Sequence, residues 1–172
     1  MKTETIILAI AILFTGLMVG IFFTWSNAVK PGIGKLSDPE YLTALQSMNR
    51  VILNNTFKLV FIGAVIAVAL VPIFYFNLYP KNIFWLFISA LIIYWVGAFG
   101  VTIFGNIPLN EILDKSNLES MTLSEIKALR TSIEAKWNNL NLIRSVSSFI
   151  TFNFLIFSYQ LINRWIQNHS FN

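Results

Sequence analysis

The sequence predicts an all-α integral membrane protein, a four-helix transmembrane bundle with extra amphipathic helices in the two long connections on one face. Three observations predict it. Of 172 residues, 56% are hydrophobic and only 12% charged, with a mean hydropathy of +0.67; a soluble domain carries about a quarter charged residues. Four apolar runs, at about 5–25, 59–79, 83–104 and 146–163, are long enough to cross a bilayer. No repeat, low-complexity tail or linker separates a second unit, so residues 1–172 read as a single membrane domain.

Composition also removes function classes. There is no cysteine, which excludes disulfides, thiolate metal sites and cysteine nucleophiles. His169 is the only histidine, so a haem or di-metal centre is not expected and no metal ligand is assigned. The net charge of +4 reads as topology information, not as a nucleic-acid footprint, and the implied partner is the lipid bilayer.

The first run, Thr5 to Trp25, is uncharged. Its rival reading is a cleaved leader with Ser26-Asn27-Ala28 as the cleavage site, but the run exceeds the usual length of a leader's apolar core and begins weakly basic. Gly16 and Gly20 form a GxxxG pair that would let a neighbouring helix of the same subunit approach closely. Lys30-Pro31-Gly32-Ile33-Gly34 reads as a turn. Ser37-Asp38-Pro39-Glu40 then starts an amphipathic helix with a capping box, continued by Leu42, Leu45, Met48 and Ile52. Asn49 and Arg50 sit beside that stripe, where Arg50 has the alternative of a solvated or lipid-phosphate contact.

Leu59 to Tyr79 is the second span, loosened at Pro72. The short turn at 77–82 makes it an antiparallel hairpin with the third, Ile83 to Phe104. Trp95 lies in the middle of that span, where a packed core tryptophan is expected ahead of a ligand-stacking one. Gly105-Asn106-Ile107-Pro108-Leu109-Asn110 reads as the span's end, with Asn106 capping a short helix. Thr122-Leu123-Ser124-Glu125 is a second capping box, opening an amphipathic helix that runs into the fourth span, Val146 to Asn163.

With four spans, one membrane face carries Lys2, Lys81 and Arg164, and the other carries nine Lys/Arg residues within the two long connections. That excess places the long connections in the cytoplasm. The same end gathers Trp25, Asn49, Arg50, Asn106, Asn110, Trp137, Asn141 and Arg144. Trp137, Asn141 and Arg144 share a helix face, i, i+4 and i+7. Such groups turn inward from lipid, so they form either a satisfied polar cap or the lining of a ligand cavity. In a cavity, arginine suits an anion or enolate oxygen, amides suit carbonyl and hydroxyl groups, and indoles suit a ring.

Taken together, Trp25-Ser26-x-x-Val29-x-Pro31, Met48-Asn49-Arg50, Gly105-Asn106-x-Pro108-Leu109-Asn110 and Trp137-x-x-x-Asn141-x-x-Arg144 resemble the anthrone oxygenase-like family of small four-helix membrane proteins. The resemblance covers nearly the whole chain. It implies oxidation of an anthrone or another phenolic or quinone-like lipophile, with no metal or flavin cofactor. The anthrone carbanion would itself react with oxygen, so the protein would supply a base, oxyanion donors and an apolar slot. Arg50 and Arg144 would stabilise the anion, Asn106, Asn110 and Asn141 would orient it, and Trp25, Trp95 and Trp137 would stack on the rings. Glu111, Asp114 and Glu134 are candidate bases by position alone. The alternative is a non-catalytic membrane protein that binds a small lipophilic ligand or a partner protein. A transporter is disfavoured by four spans, no inverted repeat and no intramembrane acid pair.

Overall fold

The computed structural model of the protein describes residues 2–169. Five helices make up the described chain: α1 (Thr3–Ile33), α2 (Asp38–Ile52), α3 (Asn55–Phe74), α4 (Lys81–Lys115) and α5 (Leu123–His169). All but α2 are long and apolar enough to cross a membrane, and the protein is an integral membrane bundle. The spans pack in a ring, α1 against α3 and α5, and α4 against α5 and α3. Leu8, Met18, Val68, Phe87, Tyr94 and Leu155 fill its centre. Helix α5 is 47 residues long, about 70 Å at 1.5 Å per residue against a hydrocarbon core of about 30 Å. It therefore emerges from the bilayer and continues as the amphipathic helix that the capping box at Thr122 announces.

That emergent half supports α2. Tyr41, Leu42 and Leu45 of α2 pack with Leu113 of α4 and with Ile126, Ile133 and Trp137 of α5, forming a second apolar core above the bundle. Arg130 locks it. Its Nη2 donates to the Gly34 carbonyl at 3.0 Å, Nη1 to the Leu36 carbonyl at 2.9 Å and to Asp38 at 3.0 Å, and Nε to Glu134 at 2.7 Å. The guanidinium also lies 4.2 Å over the Tyr41 ring. Burial, reinforced by the Glu134 carboxylate, pushes the Tyr41 hydroxyl up to about 12, so it stays neutral at physiological pH. At the start of α2, the Ser37 hydroxyl and N–H donate to Glu40 at 2.6 and 3.0 Å. These bonds hold the Glu40 carboxyl below its ordinary range. Its stabilising effect is therefore present above the ordinary carboxylate pKa and fades as pH falls through the lowered one.

Three helix ends differ from the sequence reading. Lys30–Ile33 is not a turn but the last stretch of α1, reached through a π-helical segment at Trp25–Val29. Gly105–Asn110 does not end the third span: α4 runs on to Lys115 through π segments at Trp95–Gly100 and Thr102–Asn106, and Asn106 makes no cap. Helix α3 stops at Phe74, leaving 75–79 as a turn in which Asn77 takes a left-handed backbone, φ 57°. The first two departures share a cause. Pro31 and Pro108 each follow a π segment within one turn, and a proline ring clashes with the carbonyl four residues earlier. The wider π turn moves that carbonyl's bond one residue further on, so the helix can absorb the proline.

Glycines set the closest approaches. A Cβ on Gly97 would land on Ser147 of α5, and one on Gly105 would lie 2.9 Å from Leu140. Gly97→Ala should therefore lower stability in detergent unfolding by about 1–3 kcal/mol through overpacking. Adding Ser147→Gly should recover part of that loss, while Gly32→Ala, which meets open space, should cause none.

Candidate functional site

At the level where α1 and α4 take π form, seven of the eight side chains singled out at the polar end border one cavity of about 950 Å³. Trp25 comes from α1, Asn49 from α2, Asn106 and Asn110 from α4, and Trp137, Asn141 and Arg144 from α5. The π segments open on Trp25 and close on Asn106, so the irregular turns position residues from two of these walls. Leu17, Ile21, Phe57, Phe61, Ile62 and Ile103 supply apolar lining. The eighth residue, Arg50, stays outside. It is more than half exposed and ion-pairs with Asp114 on the surface.

The polar side chains form one connected network. The Asn110 carbonyl oxygen accepts from the Trp137 indole N–H at 2.7 Å and from the Asn49 amide at 3.1 Å. The Trp25 indole N–H donates to Asn138 at 3.0 Å, and the Trp25 and Trp137 rings lie 4.2 Å apart at 49°. The Asn141 amide donates to the Phe22 carbonyl at 3.1 Å and to the Ser26 hydroxyl at 3.0 Å, while its oxygen accepts from Arg144 Nη2 at 2.9 Å. The polar end is thus both a packed cap and the wall of a cavity.

Arg144 is the exception within that network. It is only 6% exposed. Beyond Asn141 it has a long contact from Nη1 to Thr102 at 3.5 Å and two aromatic faces, Phe22 at 4.5 Å and Trp137 at 5.3 Å. Its Nε has no partner among the described residues, and neither does Asn106 Oδ1. Among the described residues no carboxylate borders the cavity. A buried guanidinium without a counter-ion is costly. The arrangement presents positive charge to an apolar space and is chemically suited to an anionic oxygen.

The candidate bases lie elsewhere. Glu111 pairs with Lys115, Asp114 with Arg50 and Glu134 with Arg130, and none borders the cavity. Trp95 is neither a core nor a cavity residue. It is 43% exposed in an outward groove between α3 and α4, and its N–H donates to the Val65 carbonyl at 3.2 Å. Among the described residues no three His, Cys, Asp or Glu side chains are placed to hold a metal ion.

Sequence reasoning missed Phe22, Thr102, Asn138 and the cavity role of Lys58. Thr102 was legible as the residue one turn before Asn106; nothing in the sequence pointed to Phe22.

Two substitutions separate holding the fold from holding a charge. Asn141→Leu should cost about 1–3 kcal/mol, because it strands buried donors and acceptors. Arg144→Met should leave the unfolding midpoint of the ligand-free protein unchanged or higher, since it removes an uncompensated buried charge. Unfolding in detergent, with the exposed Lys136→Leu as control, measures both.

A profile of the family described as Anthrone oxygenase matches residues 48–153. The matched stretch includes Asn49, Asn106, Asn110, Trp137, Asn141 and Arg144 and leaves Trp25 outside. No curated protein and no solved structure matches the chain. With well over half of its length matched, and with four helices built to cross a membrane, this chain belongs to the anthrone oxygenase family.

Proposed function

We propose that the protein oxidises a phenolic or quinone-like lipophile of the anthrone type, drawn from the bilayer into the cavity beneath α2. One observation carries this reading: Arg144, buried and without a carboxylate partner, borders a roomy cavity with largely apolar walls. Anthrones fit such a site because loss of a methylene proton gives an anion whose charge sits largely on the carbonyl oxygen. Arg144 stabilises that oxygen, the asparagine amides orient it, and the paired indoles of Trp25 and Trp137 stand beside the rings.

The reaction balances without a further redox group. The methylene carbon gives its proton to water or hydroxide, and the carbanion adds dioxygen to form a peroxide anion. That anion takes a proton from water to become a hydroperoxide. Loss of water then leaves the second carbonyl, so anthrone and dioxygen become anthraquinone and water. The carbon is oxidised and the dioxygen reduced. The protein's part is to hold the anion, and solvent takes the proton, since among the described residues no carboxylate borders the cavity. That same lack of a base favours a second reading, in which the site binds such a lipophile without turning it over. The nine Lys/Arg of the long connections against three on the other face support a cytoplasmic position for the cavity end.

Purified protein given anthrone should consume oxygen and release anthraquinone, faster as pH rises because hydroxide takes the proton. Arg144→Met should slow turnover by about 10²–10³, the usual effect of losing one oxyanion donor. Glu111→Gln, Asp114→Asn and Glu134→Gln should each stay within about twofold of the parent, as expected of residues remote from the reacting atoms. Anthrone binding that needs Arg144 but is accompanied by no oxygen uptake would establish the second reading.

A further inference from the structure

The GxxxG pair of α1 splits into two roles. A Cβ on Gly16 would come within 3.0 Å of the Phe152 ring of α5, so Gly16 is a packing glycine. A Cβ on Gly20, one turn later, would meet nothing within 4 Å, although both glycines border the cavity. Glycine inside a helix costs about 1 kcal/mol relative to alanine. At Gly16 close packing offsets that cost; at Gly20 no contact does. Gly20 is exposed and borders the cavity, so a side chain at position 20 would stand at its open side.

Gly20 precedes Phe22 by two residues, about 3 Å along the helix axis and about 200° around it, and both border the cavity. Phe22 places its ring under the Arg144 guanidinium and its carbonyl on the Asn141 amide. Gly20 thus borders the same cavity as Arg144, on the side of α1 away from Phe22, where the fused rings of a flat ligand held at Arg144 would extend.

We propose that Gly20 is a specificity-determining residue: the open space at its Cα admits the outer ring of a three-ring ligand, and side-chain volume at this position limits ring number. This rests on the ligand site proposed above. Two probes that cannot be turned over test it, 1-naphthol with two fused rings and 1-hydroxyanthraquinone with three, each titrated against tryptophan fluorescence in nanodiscs. Gly20→Leu should weaken the three-ring probe by about tenfold or more, the usual scale of overpacking, and the two-ring probe by less than about threefold. Gly20→Ala should fall between wild type and Gly20→Leu, and the ligand-free variants should melt no lower than wild type. Equal losses for both probes, or no loss for either, would overturn the proposal and leave the site standing. So would a Gly20→Leu chain that melts early, because the space would then not be open. If wild type binds neither probe, or binds both equally well with Arg144→Met, the underlying site reading falls instead.

Discussion

A guanidinium held at the edge of a bilayer with no carboxylate beside it constrains the rest of this molecule. Arg144 must be kept out of lipid, and the fold does so with neutral groups: the Asn141 oxygen, the Thr102 hydroxyl and the faces of Phe22 and Trp137. Neutral acceptors disperse the charge without cancelling it. Asn141 must in turn be fixed, and it is, by the Phe22 carbonyl and Ser26 of α1. Asn110 fixes Trp137 and Asn49 in the same way. The supports come from α1, α2, α4 and α5 together, so this network ties the helices at the end of the bundle.

The backbone irregularities belong to the same arrangement. Trp25 and Asn106 sit at the ends of π segments, and each segment is followed within one turn by a proline. A regular α-helix would meet the proline ring with a carbonyl and would end or kink. The π turns let α1 and α4 run on past the bilayer, where α2 and the emergent half of α5 close over them. The resulting lid is tied from outside by Arg130, which has two carboxylates within reach. The two arginines make a useful contrast. Arg130 is compensated by carboxylates, whereas Arg144 has only neutral partners and borders the cavity.

Much of this was legible beforehand. Four apolar runs, two capping boxes and the Trp137, Asn141, Arg144 spacing pointed to the bundle, the amphipathic helices on one face and the shared polar face of α5. The misreadings have local causes. Pro31 and Pro108 are strong stop signals in isolation, and only packing against neighbouring helices decides whether a chain bypasses them with a wider turn. Arg50 lies next to Asn49 in sequence, but 100° around the helix that step separates the cavity from the surface. Trp95 sits mid-span, and whether a mid-span residue faces the bundle or lipid depends on a helix rotation that a uniformly apolar sequence does not specify.

The sequence by itself determined that the chain enters a membrane as helices and that costly polar groups gather at one end, because hydrophobic length and amide periodicity are properties of a single strand of residues. Only the tertiary structure decided that those groups enclose a cavity, that Arg144 meets no carboxylate, and that Gly16 packs while Gly20 does not. These are facts about distances between helices far apart in the chain. Two glycines one turn apart read alike in sequence; what a neighbouring helix places opposite each of them makes one a contact and the other a space.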